Sequence, residues 1–249
     1  MITEVVEDVS SWMGTVFAVL LFAVPATTFL RIVRERSVSQ FDPSPYLISL
    51  LQCLLWDTYA YVTPNRIAPM VTNCSGAALE LLWCSLFLYY TDKKRSFGLR
   101  FAGIIAIWLA VTLADMLAVP HLSWKPLKPG DTLQTDFMGV LCLLINILMY
   151  GAPLGVVRQV IRTRSVEFMP LGLSLFTLMC SSSWFVYSFL VSDLWIFVPS
   201  ASGVVLGILQ LIIYSMYQGR CRVCGSGAEA PARDRLVSPQ ALSVTTDKE

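Results

Sequence analysis

The sequence predicts an all-α membrane protein with seven transmembrane helices, arranged as two parallel three-helix bundles joined by a linker helix. Of its 249 residues, 55% are hydrophobic and only 14% are charged, and the mean hydropathy is +0.64. These values leave too little polar surface for a soluble domain. Seven apolar runs each reach the ~20 residues that a helix needs to cross a bilayer. The last three runs also repeat the first three, so the chain is predicted to contain three helices, one linker helix and then three more helices.

The runs define the predicted organisation. They cover residues 9–31, 44–64, 67–90, 98–119, 136–157, 169–190 and 194–217. Each should be helical, because lipid offers no other partner to backbone polar groups. The domains follow as a first repeat at 9–90, the linker helix with an outer loop at 91–135, and a second repeat at 136–217. Residues 218–249 are polar and low in aromatics, which predicts a disordered cytosolic tail.

A single numbering offset of 128 relates the two repeats. It aligns Pro25 with Pro153, Arg36 with Arg164, Ser37 with Ser165, Val38 with Val166, Trp56 with Trp184 and Tyr59 with Tyr187. Such matches on infrequent residue types indicate an internal duplication. After a one-residue deletion, Gly76 aligns with Gly203 and Asn73 with Ser200. The unpaired fourth helix lets both copies keep the same orientation in the membrane.

Basic residues predict the orientation. All but three of the 18 Lys and Arg residues follow the first, third, fifth or seventh run, and the exceptions are Arg66, Lys125 and Lys128. The positive-inside rule then places the amino terminus outside the cytoplasm and the carboxyl terminus in the cytosol. The acidic start lacks the basic segment of a cleaved signal peptide, so the first helix should remain. The cations anchor loops and show no clustering that would suggest nucleic acid.

Paired polar and aromatic residues near mid-helix are the candidate solute site. Parallel repeats generate a central pathway with solute held between the halves. Trp56 and Trp184 fit this role, since a flat solute such as a sugar ring can stack on indole, although single membrane tryptophans often only pack. Asn73 and Ser200 would add hydrogen-bonding groups at equivalent depth, or else join neighbouring helices. Four prolines lie towards the cytosolic helix ends, as static kinks or as hinges: Pro25, Pro45, Pro153 and Pro170.

Other chemistry has little support in the residues. No repeated carboxylate lies at mid-depth, which weakens proton coupling. Asp57 and Asp193 fall near outer helix ends, Glu80 is deeper but has no acidic counterpart, and Asp115 lies in the unduplicated helix. The one histidine, His121, falls in a loop. No nucleophile–base pair suggests an enzyme, and no metal site or cofactor is expected. The Cys221–Cys224 pair has no second pair with which to bind zinc.

Together these residues resemble the SWEET sugar transporters (MtN3/saliva, PQ-loop superfamily), especially plant-type members. The second half matches most plainly, in MYGAPLGVVRQVIRTRSVEFMPLGLSLF and SSSWFVYSFLVSDLWIFVPSASGVVLGILQLIIYSMY. The first half adds VPATTFLRIVRERSV, PYLISLLQCLLWDTY and NCSGAALE. The resemblance covers about residues 10 to 217. It implies a 3+1+3 fold that moves sugars down their gradient by alternating access in a lipid bilayer, usually as a homo-oligomer.

The resemblance also implies residue roles. The proline tetrad would be Pro25, Pro45, Pro153 and Pro170, and the outer gate would be Tyr59 facing Asp193. The sugar site would use Trp56, Trp184 and Asn73, with Gln52, Cys180, Asn146 and Met149 beside them. One position departs from the family, which generally has asparagine where this chain has Ser200. Gln52, at a position that is usually small, would fill the space or replace the lost donor.

The resemblance favours a hexose such as glucose, because the position of Met149 tends to be bulky in monosaccharide carriers. A sucrose carrier and a proton-coupled PQ-loop carrier of another small solute remain alternatives. A seven-helix receptor is remote, since receptors do not show a parallel repeat with an unpaired middle helix. The plasma membrane is the expected location, with the vacuolar membrane as the alternative.

Overall fold

The computed structural model describes residues 2–38, 41–122, 124–127, 131–167 and 169–224, with side chains to residue 218. The described residues form nine α-helices and one short 3-10 helix, and they contain no β-strand. The helices are α1 (Ile2–Ala23), α2 (Ala26–Glu35), α3 (Ser44–Val62), α4 (Ile67–Tyr90), α5 (Lys94–Leu117), α6 (Leu133–Met149), α7 (Gly151–Thr163), α8 (Leu171–Leu190) and α9 (Leu194–Cys224), and the 3-10 helix is Val119–His121. The all-α architecture predicted from the sequence is confirmed.

Two of the predicted spans are broken helices. The first divides into α1 and α2 just before Pro25, and the fifth divides into α6 and α7 at Tyr150, shortly before Pro153. A proline lacks the amide hydrogen that would bond the carbonyl one helical turn earlier, so it weakens the turn that precedes it. We call α2 and α7 the inner arms, because they lie on the side that the basic residues predict to be cytosolic. We call that side the inner end and the opposite side the outer end.

Two helix limits differ from the prediction. The first helix begins at Ile2 rather than near Val9, since the acidic start TEVVED continues the helical turn. Helix α9 continues to Cys224, beyond the boundary expected at residue 217. The residues just after Tyr217 are therefore helical, contrary to the expected disorder, because they include no proline and only one glycine, Gly219. The remainder of the predicted tail, 225–249, lies outside the described residues.

The two repeats meet along two seams. Within the first repeat α4 packs against α1, α2 and α3, and within the second α9 packs against α6, α7 and α8. Between the repeats α1 packs against α8, and α3 packs against α6. These seams are equivalent, because each joins the first span of one repeat to the second span of the other. The linker helix α5 lies against α3 and α4, and also touches α6.

In the part of the chain that the structure describes, six spans are long and apolar enough to cross a membrane by length and composition. Helix α3, predicted as the second span, is not among them. It carries Gln52, Asp57 and several hydroxyl groups, and it lies between α4, α5 and α6 with Leu50, Cys53 and Tyr59 almost fully buried. Its polar groups therefore contact protein more than lipid, which explains its lower hydropathy.

Unusual backbone angles follow the repeat. Within the part of the chain that the structure describes, four residues other than glycine have positive φ: Arg36 (51°), Asn65 (60°), Arg164 (53°) and Ser192 (53°). Arg36 and Arg164 end the inner arms and are counterparts in the two repeats. Asn65 and Ser192 precede α4 and α9, and the shift that aligns Gly76 with Gly203 aligns them as well. The left-handed conformation is uncommon for such residues, so this pairing supports the duplication.

Candidate functional site

The two tryptophans of the repeat lie at the two seams. Trp184 on α8 is half-buried and rests on Gly14 of α1, where a Cβ atom would come within 2.9 Å of the indole. Trp56 on α3 is buried in an apolar cluster that includes Cys142 and Ile145 of α6, and Trp184 packs against the same cluster. Gly14 and Cys142 are themselves counterparts in the two repeats. Each indole therefore has a small residue at the equivalent place on the opposite repeat.

Each tryptophan contacts the tyrosine that follows it by one helical turn. The ring centroids of Trp56 and Tyr59 are 5.2 Å apart at an interplanar angle of 77°, and those of Trp184 and Tyr187 are 5.5 Å apart at 88°. Edge-to-face contacts of this kind fix ring orientation. The indoles are thus held in matching positions directly below two tyrosines that lie nearer the outer end.

The structure brings the expected outer pair together. The Tyr59 hydroxyl lies 2.8 Å from both carboxylate oxygens of Asp193. The same carboxylate accepts the backbone N–H groups of Trp195 and Ile196 at 3.1 and 3.2 Å, which caps α9. Asp193 is 5% exposed. A buried carboxylate is stable only when paired and hydrogen-bonded, and this one joins the first repeat to the start of α9.

Arg66 completes the outer contact and was not among the predicted site residues. Its Nε donates to Asp193 Oδ2 at 2.8 Å, and their side chains are 13% and 2% exposed. Arg66 also interacts electrostatically with Tyr187. The shift that relates α4 to α9 aligns Arg66 with Asp193, so the two partners occupy equivalent positions. Two signals could have identified it: that alignment, and its place as an isolated cation on the outer side.

A hydrogen bond in the middle of one seam links Gln52 and Asn146. Gln52 Nε2 donates to Asn146 Oδ1 at 2.9 Å, and Asn146 Nδ2 donates to its own helix at Cys142 O, 2.7 Å away. In the other seam the Cys180 thiol approaches Gly14 O at 3.7 Å. Met149 is half-buried at the end of α6. Gln52, Asn146 and Cys180 therefore lie along the seams that carry the tryptophans.

Asn73 and Ser200 differ in their bonding. Asn73 is half-buried and its Nδ2 donates to Pro69 O at 2.8 Å, within its own helix. Ser200 is buried, and the structure records no side-chain hydrogen bond for it among the described residues. The carbonyl of the preceding Pro199 accepts the Tyr150 hydroxyl. A serine hydroxyl also reaches less far than an asparagine amide, so these two equivalent positions differ in reach as well as in bonding.

The inner end is organised differently from the outer end. Arm α2 packs on its own repeat through Phe29 and Ile32, in a cluster with Trp83 and Phe87 of α4. Arm α7 packs on its own repeat through Val157 and Val160, in a cluster with Met169, Ile213 and partly buried residues of α9. Among the described residues, neither arm forms an extended contact with the opposite repeat. The repeats are therefore closed together at the outer end and separately packed at the inner end.

The four prolines lie at the inner ends of the helices. Pro25 and Pro153 accompany the two helix breaks, Pro45 lies in the first turn of α3, and Pro170 precedes α8. A proline is least costly in the first turn, where its missing amide hydrogen would have no partner. The prolines of α1–α2 and α6–α7 therefore interrupt spans, whereas the other two begin them.

Two acids lie apart from this site. Glu80 accepts the Ser49 hydroxyl at 2.7 Å, and its Oε2 is buried without a partner in the described residues. Asp115 is fully buried, and neither carboxylate oxygen has a partner there. No group of three or more His, Cys, Asp or Glu residues that could hold a metal occurs in the described part of the chain. Neither acid lies at the seams.

Comparison with known proteins matches both repeats. A family model described as "Sugar efflux transporter for intercellular exchange" matches residues 8–95 and 136–222. The chain is 38% identical over 214 residues to the bidirectional sugar transporter SWEET16 of Oryza sativa subsp. japonica, covering 86% of this chain and 63% of that protein. It is 35% identical over 224 residues to the bidirectional sugar transporter SWEET1 of Arabidopsis thaliana, covering 88% and 84%.

A solved structure matches the fold. The 3.7 Å structure of a eukaryotic SWEET transporter aligns with a TM-score of 0.80 and 32% sequence identity. The match covers 88% of this chain and 100% of that chain. The two family-model matches omit the region around α5, which is the region without an internal counterpart.

Proposed function

The chain belongs to the MtN3/SWEET family, and on that premise we propose that it is a bidirectional, facilitative sugar transporter that works by alternating access. The observation that carries the proposal is the matched pair Trp56 and Trp184 at the two seams, below an outer contact that joins the repeats. A sugar presents an apolar ring face that can stack on indole, and hydroxyl groups that need nearby donors and acceptors.

In the proposed cycle, the structure corresponds to an inward-facing state. Tyr59, Arg66 and Asp193 hold the outer ends of the repeats together, while the inner arms each pack on their own repeat. A sugar would reach the tryptophans from the cytosol and hydrogen-bond to Asn73 and Ser200. Release of the outer contact and approach of the inner arms, with bending near Pro25 and Pro153, would open the site to the outside. Pro45 and Pro170 would complete the inner gate.

A hexose such as glucose is the proposed substrate. The Gln52–Asn146 hydrogen bond occupies part of one seam, and Met149 at the end of α6 adds bulk on the inner side. Small residues at these places would leave more room. Gln52 also retains its Oε1 acceptor and a second N–H, which would compensate for the missing asparagine at Ser200.

A proton-coupled carrier is the second candidate, and a specific observation favours it. Glu80 and Asp115 are buried in membrane helices and have carboxylate oxygens without partners in the described residues. Such acids are costly in a membrane unless they carry a proton. They lie away from the seams, however, so they do not contact the proposed solute. Uptake that accelerates with an inward proton gradient would support this candidate over facilitative transport.

The setting of the protein is also part of the proposal. We place it in the plasma membrane as a homo-oligomer, with the amino terminus outside and the carboxyl terminus in the cytosol. Residues 9–90 and 136–217 would act as the two moving units, with 91–135 joining them. The distribution of basic residues supports the orientation, since the inner arms alone carry Arg31, Arg34, Arg158 and Arg162.

Reconstituted vesicles provide the test. Vesicles preloaded with unlabelled glucose should accumulate labelled glucose by counterflow, at a rate unaffected by a proton gradient, and should take up little labelled sucrose. Strong sucrose uptake without glucose uptake would contradict the hexose assignment. Accumulation that depends on the proton gradient would contradict the facilitative mechanism.

A further inference from the structure

The breaks in the first and fifth spans are each joined by one hydrogen bond to the third span of the same repeat. In the first repeat, Trp83 Nε1 on α4 donates to the carbonyl of Phe22, 3.1 Å away, in the last turn of α1. In the second repeat, the Tyr150 hydroxyl, at the junction of α6 and α7, donates to the carbonyl of Pro199 on α9. Phe22 and Tyr150 are counterparts in the two repeats. The same position therefore forms a bond of opposite direction in each.

The surroundings of these two residues also match. A Cβ atom on Gly76 would meet the Phe22 ring and the Cys53 thiol, at 2.7 and 2.8 Å. A Cβ atom on Gly203 would meet Ser181, and the Tyr150 hydroxyl at 3.9 Å. Ser181 is the counterpart of Cys53. The Phe22 ring thus excludes any side chain at Gly76, whereas at Gly203 the Ser181 side chain does so and the Tyr150 hydroxyl lies at ordinary contact distance.

Each bond lies where the backbone or the arm needs support. In the first repeat the acceptor is Phe22 O, a carbonyl at the end of a broken helix, and such a carbonyl is costly in a membrane without a partner. In the second repeat the acceptor is Pro199 O in the continuous helix α9, so the bond there joins the break to its neighbour. Trp83 also stacks on Phe29 of arm α2, with ring centroids 4.9 Å apart and an interplanar angle of 16°. In the second repeat the counterparts of Trp83 and Phe29 are Gln210 and Val157, which cannot stack. In the second repeat Tyr150 supplies a hydrogen bond between the break and α9, beside the apolar packing of Val157 and Val160.

We propose that Trp83 and Tyr150 are positioning residues that hold the inner arms against α4 and α9, and so stabilise the inward-facing state. The inference rests on the alternating-access cycle proposed above. Neither residue needs to touch the sugar. Each acts through the break next to Pro25 or Pro153, where loss of its hydrogen bond would let the arm leave its own repeat and approach the opposite one.

The distance between the arms tests this directly and needs no sugar. Arg34 and Arg162 are equivalent exposed positions on α2 and α7. Spin labels attached to Arg34→Cys and Arg162→Cys would report the distance between the arms by double electron–electron resonance in lipid nanodiscs. The background would carry serine at Cys74, Cys221 and Cys224 to prevent labelling elsewhere, and it would keep Cys180, which is half-buried in the seam between α1 and α8. The variants Tyr150→Phe and Trp83→Phe keep an aromatic ring and remove the donor.

We expect each variant to increase the population at short inter-arm distance about fivefold, the factor that a hydrogen bond of ~1 kcal/mol represents. Tyr214→Phe is the matched control, because Tyr214 lies on α9 beside arm α7 and its hydroxyl makes no recorded hydrogen bond in the described residues. It should leave the distances unchanged. Unchanged distances in both donor variants, or an equal change in the control, would overturn the proposal.

Glucose counterflow on the same proteins separates this inference from the proposed function. A distance shift in a parent protein that moves no glucose would reject the function and retain the role of Trp83 and Tyr150. Normal glucose transport by the parent with unchanged distances in both variants would reject the role and retain the function.

Discussion

The two repeats are alike in the tryptophan–tyrosine pairs beside the predicted pathway and unlike where they touch each other at the outer end. The pairs Trp56–Tyr59 and Trp184–Tyr187 have nearly the same ring geometry. By contrast, the equivalent positions Arg66 and Asp193 carry opposite charges and bind each other at 2.8 Å. A solute between the halves can be held by identical groups on both sides. A contact across the pseudo-two-fold axis cannot use identical charges, since two buried acids or two buried bases would repel.

This difference explains why the duplication has diverged at particular positions. Residues that meet their own counterparts must become complementary, whereas residues that face a shared space can remain the same. The inner arms show a third pattern, because Phe29 and Ile32 of α2 are replaced by the smaller Val157 and Val160 of α7. Each arm packs on its own repeat and contacts neither its counterpart nor the proposed solute. Its residues are therefore free to differ from those of the other arm.

The largest expected effect tests the likeness of the tryptophans. Trp184→Ala should abolish glucose counterflow while the protein still reaches the membrane, because Trp184 is half-buried and its loss leaves a modest cavity. Trp56→Ala should abolish transport and also lower the melting temperature, since removing a buried tryptophan side chain costs about 3–5 kcal/mol. Trp12→Ala, at an exposed position of α1, is the control. Normal counterflow by Trp184→Ala would assign this residue to packing.

The second prediction tests the opposite charges of Arg66 and Asp193 at the outer end. Asp193→Arg would place two cations together, and Arg66→Asp would place two acids together, so each should lower transport at least tenfold. Breaking a buried ion pair typically costs about 3–5 kcal/mol. The exchange Arg66→Asp with Asp193→Arg should recover part of the loss but not all of it, because arginine cannot accept the N–H groups of Trp195 and Ile196. Equal losses in the single and double variants would show that the charges do not act as a pair.

Much of this arrangement could be predicted from the sequence, because the repeat offset is visible in rare residue types. That offset placed Trp56 with Trp184, and the hydropathy located the spans. Neither the offset nor the hydropathy could locate the break at Tyr150. Its position depends on how the turn before Pro153 packs against α9. The alignment of Arg66 with Asp193 is visible in the sequence, but their ion pair is not, because it forms only when two loops that are distant in the sequence meet. The Gln52–Asn146 bond was missed for the same reason.

A smaller effect is expected from making the equivalent positions 73 and 200 identical, since they now carry Asn73 and Ser200. Ser200→Asn supplies an amide at the position equivalent to Asn73, and one additional hydrogen bond to the solute contributes about 1 kcal/mol. We therefore expect the Michaelis constant for glucose counterflow to fall about fivefold, with little change in maximal rate. Ser202→Asn is the control, because two residues along α9 correspond to about half a helical turn and place Ser202 on a different face. An increase in the Michaelis constant would mean that the larger side chain obstructs the solute.

The smallest expected effect concerns the seam between α3 and α6, where Gln52 and Asn146 form a hydrogen bond that Cys180 does not reproduce in the seam between α1 and α8. Gln52→Ser shortens the side chain and removes the bond, so the seam should widen and admit a longer solute. We expect glucose counterflow to change no more than about threefold, the effect of losing one hydrogen bond that is partly replaced by water. Sucrose counterflow should become measurable. Asn146→Ala removes the same bond from the other side and should admit sucrose as well. If only one of the two variants admits sucrose, the size of that side chain, and not the hydrogen bond, sets the limit on solute size. The two seams would then differ in the space they leave for a solute and not in whether a hydrogen bond crosses them.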